Sequence, residues 1–146
     1  MNLRKFALAS FTLAAMLIAA PGAFAFTECP GQESNIPGPY FVYFQTGSAQ
    51  IDQKGMAAIA EAAAKAKALY LTRVCVRGKA DKTGNATMNQ ELSQKRADAV
   101  AAQLAKAGVE QKYIMVVAKG EPFGSSMSAL SGDNQADRTV KIILAK

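Results

Sequence analysis

Two helix-length stretches, each set between short runs of β-branched and aromatic residues, constrain this chain more than any other feature. Tyr40-Phe41-Val42-Tyr43-Phe44 favours an extended strand. Gly47-Ser48 can turn the chain, and Asp52 can cap a helix running from about Gln53 to Leu69. Its apolar stripe is Met56, Ile59, Ala63, Ala66 and Tyr70, alternately three and four residues apart. Leu71–Arg77 reads as a second strand. Thr72, Val74 and Val76 share one face, and Arg73, Cys75 and Arg77 share the other, which should not be the main core. Gly78–Thr87 is polar and reads as a loop. A second helix is expected from near Met88, with Thr87 and Gln90 as a capping box, to a left-handed cap at Gly108. Ile114–Ala118 forms a third strand, Glu121–Ala136 is a Gly/Ser/Asn-rich excursion, and Thr139–Leu144 closes the series. The expected class is α+β, a β-α-β-α-β-β two-layer sandwich. Its mixed four-stranded sheet should carry both helices on one face, with crossovers making parallel neighbours and the last strand adding antiparallel.

The front of the chain has a different character. Residues 6–20 contain no charge and follow Arg4 and Lys5 directly. Fifteen residues fall short of the roughly 20 needed to span a bilayer as a helix. A basic start, a short apolar run and then Ala23-Phe24-Ala25 read as a secretory signal covering residues 1–25 and removed after Ala25. Residues 26–39 hold three prolines and two glycines and should form an irregular lead-in to a domain at 40–146. The residues before Cys29 are not those of a lipid-attachment signal. After cleavage no apolar run approaches a membrane span, and the expected location is the periplasm, with association at the outer membrane as an extension of that reading.

Composition then narrows the chemistry. The chain has no His, so it lacks an imidazole base, a His metal ligand and any Ser-His-Asp or Cys-His machinery. Its two cysteines, 46 positions apart, are neither a CxxC redox pair nor a four-ligand zinc site. No cofactor or metal is expected, and an enzyme would have to work with carboxylates alone. The net charge of +6 falls to +4 once Arg4 and Lys5 leave. Without a dense basic tract or interleaved aromatics, this charge gives no ground for a nucleic-acid partner.

The second helix carries the informative anomaly. Leu92, Val100, Leu104 and Ala107 form an apolar stripe, yet Asn89, Ser93 and Arg96 fall on the same stripe in its first half. A guanidinium directed toward a core needs a carboxylate or a bidentate ligand, because an unpaired buried charge costs several kcal/mol. Asp81, in the loop feeding the helix, is the nearest candidate. Backbone N–H groups at the helix start can also receive an anion. Such a set suits a zwitterion with one ammonium and one carboxylate. It equally suits an internal Asp81–Arg96 salt bridge.

These residues resemble a known family. Gly78-Lys79-Ala80-Asp81-Lys82-Thr83-Gly84, followed by Asn89, Leu92-Ser93, Arg96-Ala97, Val100 and Leu104, is similar to the signature of the OmpA-like C-terminal domain, shared by Pal lipoproteins and MotB-type stator proteins. Val42-Tyr43-Phe44 with Ser48-Ala49 and Ile51 resembles its first strand and the start of its first helix. Gly120-Glu121 and Asp137–Ile142 resemble its later segments, so the likeness runs over about residues 40–144.

The resemblance implies non-covalent binding of cell-wall peptidoglycan through the diaminopimelate of the stem peptide, anchoring or organising the envelope. It places the binding Asp on Asp81 and the binding Arg on Arg96, with further contacts from Thr83 and Asn89 and from Arg138 in the closing segment. Lys79-Ala80 stands where the family has His or Tyr and then Thr, and Asp137-Arg138-Thr139 departs from its closing run. The alternative is a periplasmic protein-interaction module on the same fold with a degenerate pocket. Either reading calls for an envelope protein as tether.

Export permits a disulfide. We favour a Cys29–Cys75 bridge, which would pin the lead-in across the second sheet face, over two free thiols or an intermolecular bond. Closing such a loop contributes roughly 4 kcal/mol in the chain-entropy model.

Overall fold

The computed structural model describes residues 29–79, 85–119 and 138–146. The expected signal at 1–25, the expected excursion at 121–136, Asp81 and Thr83 lie outside these residues. The elements run β1 (Tyr40–Tyr43), α1 (Gln53–Ala68), β2 (Arg73–Lys79), α2 (Ala86–Lys106), a 3₁₀ turn (Gln111–Tyr113), β3 (Ile114–Lys119) and β4 (Thr139–Ala145). The β-α-β-α-β-β order and the mixed four-stranded sheet are as the sequence implies.

The sheet order is β1-β4-β2-β3, with β4 antiparallel to both β1 and β2 and β2 parallel to β3. The last strand therefore separates the first two, so only the β2–β3 crossover joins immediate neighbours. Register explains why β4 can be central. Val140, Ile142 and Leu144 are fully buried, and they lie opposite Val42 on one side and Val76 and Val74 on the other. A strand this apolar is stable only between partners and beneath helices.

Asp52 caps α1 by accepting from the Gly55 N–H at 2.7 Å, a bond that typically contributes about 1 kcal/mol. Ile59, Ala62, Ala63 and Ala66 form its buried face. Met56 and Tyr70, expected on that stripe, are exposed. Helical spacing ends at the C-cap Leu69, and Tyr70 turns into the left-handed region with φ 50°.

Two further boundaries differ from expectation. β2 continues through Gly78 and Lys79, and α2 starts at Ala86 rather than near Met88. The cap is Asn85, whose side chain accepts from the Thr87 N–H at 2.8 Å. Thr87 and Gln90 do not form the capping box, since Gln90 Nε2 donates instead to the Ala118 carbonyl of β3 at 2.9 Å. Gly108 ends α2 with φ 92° as expected.

A Cys29–Cys75 disulfide, with Cα atoms 5.6 Å apart, ties the lead-in to β2. Cys75 is fully buried even though it lies on the sheet face away from the helices.

Candidate functional site

α2 must pass close over β2, and Gly78 is what allows it. A Cβ there would collide with the Ser93 carbonyl and sit 3.1 Å from the Ala97 methyl. Because α2 follows β2 directly, its first turns lie at the end of the sheet where β2 finishes and β4 begins. Asn89, Ser93 and Arg96 are all buried on that stretch, followed by Ala97, Val100 and Leu104 deeper in the core. Leu92 and Ala107, expected on the stripe, are only half-buried, and Ala97 takes the central place.

Arg96 is the largest fully buried side chain among the described residues. Long helical side chains lean toward the helix N-terminus, which directs this one to the sheet end. Its Nε donates to the Ser48 carbonyl at 2.8 Å, one terminal nitrogen to Gln45 at 3.0 Å and the other to Lys79 at 3.3 Å. The guanidinium also lies 5.2 Å from the centroid of the Phe44 ring, a cation–π contact. One side chain thus joins the segment after β1 to the end of β2. Asp81, the carboxylate expected beside this charge, lies outside the described residues, and the three carbonyls are partners that no side-chain pattern announces. Only Phe44, an aromatic at the end of the first strand, left a trace in the sequence; main-chain carbonyls leave none.

The other expected residues are distributed around Arg96. Asn89 lies two turns earlier on the same stripe and is 5% exposed, and its Nδ2 has no hydrogen-bond partner among the described residues. A buried donor left without an acceptor costs about 1–3 kcal/mol. Ser93 satisfies its hydroxyl locally, on the Gln90 carbonyl at 2.9 Å. Arg138, just before β4, donates through Nε to the Phe44 carbonyl at 3.3 Å, while the Phe44 N–H donates to the Arg138 carbonyl at 2.9 Å. Phe44 is therefore held between the two arginines, its ring by Arg96 and its backbone by Arg138. The structure brings Arg96 and Arg138 onto one strand end and aligns Asn89 with Arg96. Among the described residues no group of three Cys, Asp or Glu could hold a metal, and no helix is long and apolar enough to cross a membrane.

Two helices layered on a mixed four-stranded sheet, with a buried arginine on the second helix clamping two strand ends, define a two-layer α+β domain. The OmpA family profile matches residues 43–138, and the chain belongs to that family. Domains of this family are typically peptidoglycan-binding and non-enzymatic.

Solved structures agree on the fold. The OmpA-like domain of FopA1 from Francisella tularensis is 23% identical with a TM-score of 0.62, covering 72% of each chain. The peptidoglycan-associated lipoprotein of Burkholderia pseudomallei is also 23% identical, with a TM-score of 0.60 over 73% of this chain and 90% of that one. The periplasmic domain of Helicobacter pylori MotB is 22% identical, with a TM-score of 0.57 over 72% and 70%. No curated protein sequence matches.

Proposed function

We propose that this domain is exported to the periplasm and binds peptidoglycan there without chemistry, taking the diaminopimelate of the stem peptide at the α2 end of the sheet. The observation that carries this reading is the polar first half of α2. A guanidinium is fixed by three carbonyls and, on the same stripe, a buried amide donor still requires an acceptor. A ligand carboxylate supplies such an acceptor. Asp81, 15 residues before Arg96 in the feeding loop, supplies the anion for the ligand ammonium, and Thr83 and Arg138 complete the rim. The relative known as a peptidoglycan-associated lipoprotein shares this fold over 90% of its chain, which supports peptidoglycan as the partner here. A separate envelope protein provides the tether.

Co-sedimentation with purified sacculi tests the reading. The mature protein is expected in the pellet, Asp81→Ala in the supernatant at an unchanged melting temperature, and Asn89→Ala in the supernatant at a melting temperature no lower than that of wild type. Free diaminopimelate should raise the melting temperature of wild type and not of Asp81→Ala. Wild type remaining in the supernatant, or both variants pelleting like wild type, would refute the proposal.

A further inference from the structure

At the opposite pole, where both helices end, lies an open cleft of about 360 Å³, within the size range of small-ligand sites. Leu71 and Val109 form its buried floor, and Tyr70, Tyr113, Lys67 and Glu110 stand around it.

The two helix ends that shape the cleft use the same motif with different residues. In α2 the Val109 N–H bonds the Leu104 carbonyl and the Gly108 N–H bonds Ala105. In α1 the Leu71 N–H bonds Ala66 and the Tyr70 N–H bonds Lys67. Both are Schellman ends, whose left-handed position favours glycine. Gly108 meets that demand at φ 92°, whereas Tyr70 occupies it at φ 50°. A side chain in this conformation is strained, and packing offers no compensation, since Tyr70 is 89% exposed. Strain at an exposed aromatic bordering a cleft is a reason to look for a ligand.

The charges around the cleft select the ligand's character. Lys67 Nζ donates to the Ala107 carbonyl at 2.8 Å. Lys112 pairs with Glu110 at 2.6 Å and lies 4.8 Å from the Tyr113 ring centroid. The hydrogen bond that Lys112 donates to Glu110 raises the Lys112 pKa above the usual lysine value, keeping the ammonium charged. An anion would meet Glu110 and two helix C-termini, which are negative ends. A cation would meet two ammonium groups that already hold those acceptors. A neutral molecule with an apolar ring face and peripheral hydroxyls meets neither obstacle. Tyrosine offers it a flat apolar body and a polar tip.

We propose that the Tyr70 cleft is a second binding site, for a neutral pyranose of an envelope glycan stacked on the Tyr70 ring. It does not depend on the diaminopimelate site.

Calorimetric titration of the mature protein with chitotetraose and with cellotetraose tests it. Neither sugar contains diaminopimelate. Binding of chitotetraose alone assigns acetamido sugars such as those of the cell-wall glycan, and binding of both assigns pyranose chains in general. Tyr70→Gly is expected to lose sugar binding while melting at or above the wild-type temperature, because glycine relieves the left-handed strain. Asp81→Ala is expected to bind sugar normally, so failure at one site is distinguishable from failure at the other. Absence of binding for both sugars at millimolar concentration, undiminished binding by Tyr70→Gly, or loss in Asp81→Ala would overturn the proposal.

Discussion

Arg96 and Lys67 do the same chemical job at opposite poles of the domain, and the contrast shows how burial sets what a charge contributes. Each is a helix-borne cation donating to main-chain carbonyls. Arg96 is sealed from solvent and holds three carbonyls from two strand ends. Lys67 is exposed and holds one carbonyl at the end of the neighbouring helix. In the first setting, losing the cation leaves three part-buried carbonyls without the donor that a sealed side chain supplied. In the second, water replaces the lost bond at once. The Arg96 pole is consequently costly to alter. The Lys67 pole, where both helices end, tolerates change, which is why a strained tyrosine can persist there.

Replacing the buried cation challenges this contrast most severely. Arg96→Met keeps an unbranched apolar stem but leaves the Ser48, Gln45 and Lys79 carbonyls without the Arg96 donor. A loss of about 3 kcal/mol or more is expected, since each stranded acceptor costs about 1–3 kcal/mol, read as a fall in the urea midpoint with unchanged slope. A loss below 1 kcal/mol would mean that the cradle does not hold the strand ends together. Gly78→Ala probes the same pole through packing. The added methyl must displace the Ser93 carbonyl, and we expect about 1–3 kcal/mol together with a weaker response to diaminopimelate. If stability falls without any change in ligand response, α2 placement does not govern the site. The mildest change is Lys67→Ala, for which under about 1 kcal/mol is expected. A larger loss would show that the exposed pole also depends on its cation, and the contrast would collapse.

Much of the fold was legible because short-range rules were obeyed. Asp52 and Gly108 mark helix ends that the structure keeps, and the β-branched runs mark where its strands lie. Errors arose where a residue served a distant partner. Gln90 looked like half of a capping box, but its amide is used by β3. Met56 and Tyr70 satisfied a helical spacing that extended to the rim and past the end of α1, where no core existed to receive them. For the candidate site, Arg96 and Asn89 stood out as polar residues on an apolar stripe, and both are buried. The carbonyls of Gln45, Ser48 and Lys79 could not be foreseen, since any residue carries one.

By itself, the sequence determined the element types, their order and the presence of a charge directed toward the core, because caps, periodicity and side-chain chemistry act over a few residues. Tertiary structure alone decided that β4 would part β1 from β2, that three carbonyls would cradle Arg96, and that two helix ends would meet around Tyr70. Those outcomes depend on which surfaces meet once the chain closes on itself, and no local spacing encodes them.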